Sequence, residues 1–191
     1  MKALLIRHGE IDSNLKKLYS GRSQEPLNDH GREQATRLGD ELALGAARLD
    51  AIFTSPLPRT HQTAQLVAER IRAARGTSVP VILDEGLTEL GMGPWEGLTE
   101  DRVAELYPTE WKLWHDRPAE LTIPGRETLA QAADRAMTTL KRIKDGGANG
   151  RVAIVTHYAV VRLILLSVRG ESLNRYKTIS VPNCSTAEVE I

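Results

Sequence analysis

Leu4-Leu5-Ile6-Arg7-His8-Gly9-Glu10 is the stretch on which the reading of this chain turns. Its uninterrupted apolar run predicts a buried strand. The run ends in a cation, an imidazole and a glycine. Arg7 and His8 are thereby placed at the carboxyl end of a strand, where open α/β sheets gather ligands. Gly9 allows a sharp turn and the close approach of a ligand. A neutral imidazole beside a guanidinium suits attack on phosphorus, because the cation offsets the anionic oxygens that repel a nucleophile. The same three residues also fit a plain strand end, with a solvated arginine and a satisfied histidine. They do not choose alone.

Outward from that stretch, strands and helices alternate. After a polar, irregular segment over 11–28, Asn28 reads as an N-cap and a helix runs to about Ala47. Leu49–Thr54 reads as a strand. Pro58 opens a helix to about Ala74, at a position where a missing amide costs nothing. Val79–Leu83 is a short strand whose proline suits an edge, and 84–97 is a glycine-punctuated loop. Residues 98–124 hold at most two short helices between prolines. A long amphipathic helix follows from Glu127 to about Lys144. Arg151–Thr156 is a buried strand, with a helix from about Ala159 to Val168, and the tail over 179–191 supplies one or two last strands. This order implies an α/β fold in three layers: a mainly parallel sheet with helices on both faces. A single domain spanning 1–191 is expected, with the insert at about 84–125 acting as a small helical cap.

Composition narrows the function. The 191 residues are 41% hydrophobic and 26% charged, as in ordinary globular domains, and formal net charge is zero. No basic excess marks a nucleic-acid binder, so any anion site must be a local cluster of cations. The single cysteine, Cys184, excludes an internal disulfide and a multi-cysteine zinc site. No apolar run reaches membrane-spanning length. The first strand starts at once, with no charged segment and cleavage site ahead of it, so the expected compartment is the cytoplasm and the glycosylation pattern Asn183-Cys184-Ser185 is set aside. No His-Glu-x-x-His pair, nucleotide-binding glycine loop or dinucleotide fingerprint occurs. Neither a cofactor nor a metal is expected.

Three further places carry chemistry. Arg59 lies in the first turn of a helix directly after a strand, where free amides and the helix dipole favour an anion; an exposed surface arginine is the other reading. His157 ends its strand as His8 does, so the two would converge if the strands are neighbours. Glu89, or its rival Glu96 on the same loop, would hold its proton longer near a bound phosphate and could protonate a leaving alkoxide; two solvated loop acids fit equally. His30, His61 and His115 sit in polar surroundings and read as surface residues or as supports behind the site.

Taken together, these blocks resemble the histidine phosphatase superfamily, in the branch containing cofactor-dependent phosphoglycerate mutase and its phosphatase relatives. The resemblance rests on Leu5–Glu10 with Asn14, on Leu27–Ala35, on Thr54–Ala64, on Leu87–Leu98, and on Val155-Thr156-His157 with Val161-Arg162, followed by Pro182–Ser185. It implies a phosphoglycerate mutase-like fold and a small phosphomonoester as substrate. By it, His8 is the nucleophile that becomes phosphohistidine, Arg7, Arg59 and His157 hold the phosphoryl oxygens, Glu89 is the proton donor, and Asn14 lines the phosphate pocket. Two departures stand out. Tyr158 replaces the usual glycine after the second histidine, keeping a backbone amide for the phosphate but adding a ring. Arg126 interrupts the expected Pro-Gly-Gly-Glu pattern, as a contact to an anionic substrate or as a surface cation.

The resemblance implies a phosphatase acting on a metabolite such as α-ribazole phosphate, a sugar phosphate or a phosphoglycerate derivative. A mutase is the alternative, but the mutases of the family carry adjacent arginines in the insert, where this chain has only separated cations, Arg102, Lys112 and Arg117. A non-catalytic phospho-ligand module would be expected to lose His8 or Glu89. Trp95, Tyr107, Trp111 and Trp114 fall within the insert; they read either as buried core or, Trp114 among them, as an apolar wall over the leaving group with Arg117 or Arg126 at its rim. The phosphomonoester is the only partner expected, with no nucleic acid or membrane; a homodimer is one assembly admitted.

Overall fold

A computed structural model describes residues 1–46, 48–147 and 150–191. Its strands are β1 (Lys2–Arg7), β2 (Ala51–Thr54), β3 (Val81–Leu83), β4 (Arg151–Thr156) and β5 (Thr186–Glu190). They form one sheet in the order β3-β2-β4-β1-β5, parallel except for β5, which runs antiparallel to β1 at the edge. The helices are α1 (Asp12–Leu15), α2 (Asp29–Leu44), α3 (Pro58–Arg75), α4 (Glu100–Leu106), α5 (Pro108–Asp116), α6 (Leu129–Asp145) and α7 (Tyr158–Val168).

The central strands are apolar between their ends because both of their faces are covered. Alternation along them sorts the side chains: Ala3, Leu5, Val152 and Ile154 pack against α6 and α7, while Leu4, Ile6, Ala153 and Val155 pack against α2 and α3. That is the expected three-layer arrangement. Local signals set the helix ends. The Asn28 side chain accepts the Gly31 amide at 2.8 Å, Pro58 occupies the first position of α3, and Thr128 and Gln131 cap α6 reciprocally.

Several boundaries differ from expectation. The end of α2 expected at Ala47 lies outside the described residues; the helix closes at Leu44. The irregular segment after β1 contains one helical turn, α1. The tail forms one strand, β5, within the one or two expected; Val181 lies outside it, and its carbonyl accepts from Arg7 Nη1 at 2.7 Å. Gly9 serves packing, since a Cβ there would stand 2.4 Å from the Gly31 carbonyl oxygen, so the close approach is made by the first turn of α2.

The insert is built on a core of its own. Trp95, Val103, Trp114, Leu121 and Ile123 are buried in one cluster with Leu129, Ala132 and Ala133 of α6 and Ala159, Leu163 and Leu166 of α7. It is thus anchored on the two helices that cover one face of the sheet.

Candidate active site

Parallel pairing of β1 with β4 puts Arg7 opposite Thr156. The next residue of each strand is a histidine, and the two rings lie 5.3 Å apart, edge to face. On the other side β4 pairs with β2, after which Ser55 and the first turn of α3 bring in Arg59. The convergence expected of Arg7, His8, Arg59 and His157 therefore follows from strand order.

The protonation of His8 can be read from its partner. Nδ1 lies 2.6 Å from the Gly9 carbonyl oxygen, which can only accept, so Nδ1 carries the hydrogen. Burial, and then the charges of Arg59 and Arg7, push its pKa well below the ordinary imidazole value. The neutral ring is left with its lone pair on Nε2. His157 is arranged the other way. Ser55 Oγ accepts the Leu57 amide and lies 2.9 Å from His157 Nε2, so its proton can point at that nitrogen. Nδ1 is then the protonated atom, buried and without a partner among the described residues. Burial and Arg59 also hold this ring neutral.

The two guanidinium groups are oriented by backbone carbonyls. Arg59, fully buried, donates from Nη1 to Ser23 O and from Nη2 to Gly21 O, both at 2.7 Å. Arg7 donates to Val181 O and lies 4.9 Å from the centroid of the Tyr158 ring. In both, Nε is buried and unpaired. Burial lowers the pKa of each, with Glu89 acting in the opposite direction. Glu89 is buried as well; one carboxylate oxygen accepts the Leu90 amide at 2.8 Å, and desolvation raises its pKa despite the nearby arginines. Its rival Glu96 turns away and accepts the Met92 and Arg22 amides. Asn14 Oδ1 accepts from Ile11 N and from Asn183 Nδ2, which leaves the Asn14 amide nitrogen for a ligand.

A cavity of about 640 Å³ opens over these groups. Arg7, His8, Asn14, Glu89, Trp114 and Tyr158 line it, while Arg59 and His157 have no exposed surface. A hollow of about 720 Å³ between α3 and β3 holds none of them. Arg117 does not reach the cavity: it pairs with Glu120 on the surface. Nor does Arg126 line it. That guanidinium is buried 4.5 Å from the Trp114 ring centroid and 5.2 Å from that of Trp95, and burial brings its pKa down to about 10. Of the remaining histidines, His115 bonds Glu100, and His30 pairs with Glu33 on an exposed helix face.

Sequence reasoning missed part of the wall. Ser20, Tyr19, Glu100, Arg162, Tyr176, Lys177 and Asn183 also line the cavity. Arg162 was within reach, because it stands four residues after Tyr158 and so shares its face of α7. Tyr176 and Lys177 come from a 3₁₀ segment, Leu173–Thr178, that only the tertiary fold returns to the site.

Known proteins with this arrangement are recognisable. The family model of the histidine phosphatase superfamily (branch 1) matches residues 3–191. Phosphoserine phosphatase 1 of Hydrogenobacter thermophilus is 28% identical over 191 residues, covering all of this chain and 87% of that protein. The 2,3-bisphosphoglycerate-dependent phosphoglycerate mutase of Methylorubrum populi is 29% identical over 187 residues, 93% of this chain and 84% of the mutase. Among solved structures, YhfR of Bacillus stearothermophilus superposes with a TM-score of 0.88 at 29% identity, over 100% of this chain and 91% of that one. Among the described residues no helix is long and apolar enough to cross a membrane. With nearly the whole chain matched and its strand-end histidines side by side, the protein is an enzyme of the histidine phosphatase superfamily, branch 1.

Proposed function

We propose that the chain is a phosphomonoesterase for a small phosphorylated metabolite and works through phosphohistidine on His8. The observation that carries this reading is the fixed tautomer of His8: its Nδ1 hydrogen is committed to Gly9 O, and Nε2 is a bare lone pair among cations. In the first step Nε2 attacks phosphorus, the P–N bond forms and the P–O bond to the leaving group breaks. Arg7, Arg59, the unpaired Nδ1–H of His157 and the Tyr158 amide neutralise the equatorial oxygens, so most of the barrier lowering is positioning and charge compensation. Glu89, whose pKa burial raises, gives its proton to the departing alkoxide. In the second step Glu89 takes a proton from water as that water attacks the phosphohistidine, releasing inorganic phosphate and restoring the neutral ring.

Hydrolysis is favoured over mutase chemistry by the insert. Its cations Arg102, Lys112 and Arg117 are paired outward with Glu105, Asp116 and Glu120, so they are not poised to hold a second substrate for phosphoryl return. Because the two arginines supply the positive charge and the neutral His157 only a hydrogen bond, activity is expected to persist in chelator. The test is phosphate release from a panel of phosphomonoesters together with trapping of radiolabelled enzyme under alkaline quench. Label on His8 supports the reading; label on His157, or none with rapid turnover, overturns it.

A further inference from the structure

The cavity has a second cationic end that the phosphoryl site does not use. Arg162 lines it and is 6% exposed, yet among the described residues it makes no hydrogen bond or ion pair, and its Nε is fully buried. Its guanidinium carbon lies 3.8 Å from the Tyr158 ring centroid and 4.9 Å from that of Tyr176. Lys177 lines the same wall, 5.4 Å from the Trp114 ring centroid; among the described residues it makes no ion pair at contact distance and feels Glu100 only from farther off. Burial takes its pKa down to about 8. Glu100, the acid on this wall, is bonded to His115 Nε2 at 2.8 Å.

A guanidinium stacked on tyrosines can be packing alone. Packing, however, would be served as well by methionine or leucine, without the cost of desolvating a charge and leaving its donors unmade. At the other end of the same cavity the unpaired Nε of Arg7, with that of Arg59 buried behind it, marks the place proposed for the phosphoryl oxygens. By the same physical argument Arg162 marks the place of a second anion.

We propose that Arg162 and Lys177 form a carboxylate subsite, so that the preferred substrates are phosphate esters whose organic part carries a carboxylate. This rests on the phosphomonoesterase reading and narrows its substrate class. The spacing fits: the guanidinium carbons of Arg7 and Arg162 both lie within 5 Å of the Tyr158 centroid, and so are no more than about 9 Å apart. A phosphoryl group and a carboxylate a few bonds apart span that gap. A planar carboxylate matches the guanidinium fork, and a monoanion suffers less than a second phosphate dianion from Glu100 on the same wall. The subsite is built on α7 and the Leu173–Thr178 segment, while the separated cations of the insert are turned outward.

The experiment measures binding in the His8→Ala background, where nothing is turned over. Calorimetry compares 3-phosphoglycerate with glycerol 3-phosphate, which has a hydroxymethyl group in place of the carboxylate. The acid is expected to bind about tenfold tighter, as one charge-assisted pair warrants, and Arg162→Gln should bring the ratio to within about twofold. Lys177→Gln, a change at a half-exposed position that the fold tolerates, should lower it by a smaller factor. A ratio that survives both substitutions overturns the proposal. So does tighter, Arg162-dependent binding of propane-1,3-diol bisphosphate than of the acid, which would make the subsite one for phosphate. Failure of the phosphomonoesterase reading shows separately, as no hydrolysis of p-nitrophenyl phosphate by the chain with His8 intact.

Discussion

The floor and the wall of the cavity are made differently. On the floor, Arg7, His8, Arg59 and His157 are each held by main-chain atoms or by a side chain that main chain holds: Val181 O, Gly9 O, Gly21 O with Ser23 O, and Ser55 Oγ under the Leu57 amide. On the wall, Trp114, Tyr158, Arg162, Tyr176 and Lys177 are held chiefly by one another, ring on ring and cation on ring. Main-chain support fixes a group to the sheet, and such a floor treats every phosphomonoester alike. Side-chain support can be re-cut by single substitutions without disturbing a strand. On the proposed function, chemistry then belongs to the floor and choice of leaving group to the wall.

The largest break in that division would come from His8→Ala. It should lower kcat by about a thousandfold or more, and by the same factor for every substrate, because the nucleophile is common to all. A variant that lost activity on one ester and kept it on another would show that the floor also selects. Glu89→Gln comes next, at about a hundredfold on alkyl phosphates. The loss should be far smaller on p-nitrophenyl phosphate, whose phenolate leaves without a proton. Since burial raises the Glu89 pKa and the acid must be protonated to act, wild-type kcat/KM should fall as pH rises through that pKa. Glu89→Gln should abolish this limb, and a pH profile unchanged in the variant would move the acid role elsewhere.

Most of the floor was legible in the sequence, and the reason is geometric. A strand end is a one-dimensional signal: Leu4–Ile6 and Val152–Thr156 announce their strands, and the residue that follows each is positioned by the pairing of β1 with β4. Arg59 was legible because Pro58 marks a helix start. The wall was less so, since its members lie at 100, 114, 158, 162, 176 and 177 and meet only through tertiary packing. Arg126 illustrates the limit. Its two readings were substrate contact and surface cation; it is buried against Trp95 and Trp114, which removes the surface reading, and it does not line the cavity.

Arg59→Lys sharpens the comparison from the floor side. The charge survives, but lysine loses the planar fork that bonds Gly21 O and Ser23 O from its two ends while keeping Nε for the anion. About a tenfold loss in kcat/KM is expected, equal across substrates. Wild-type activity would place Arg59 outside the phosphate contacts. Arg126→Met probes the wall at similar volume. Loss of a cation–π contact worth about 1 kcal/mol should loosen Trp114, shifting the ratio of kcat/KM for two dissimilar substrates by roughly three- to fivefold, with inorganic phosphate inhibition nearly constant. Equal scaling of both substrates would make Arg126 part of the packing alone.

The smallest expected effect is on stability, and it separates the floor from the wall without substrate. His8 and His157 are buried neutral, with folded pKa values below the 6.5 of a free imidazole. Between those values the unfolded chain binds more protons than the folded one, so stability rises with pH there. Their contribution is complete above pH 6.5 and is lost as pH falls through the window beneath it. Glu89 has the opposite sign, because its folded pKa is raised above 4.5 and the folded state binds the extra proton just above that value. Two histidines outweigh one carboxyl, so the melting temperature should fall between pH 7 and pH 5.5, by roughly 3 °C. Scanning calorimetry of His8→Gln should show at most about half that slope, because His157 remains and Glu89 still opposes it. Lys177→Gln on the wall should leave it as it is, since that ammonium titrates at about 8, above the window. A His8→Gln slope equal to wild type would mean that the floor histidines are not the neutral, buried pair on which the chemistry depends.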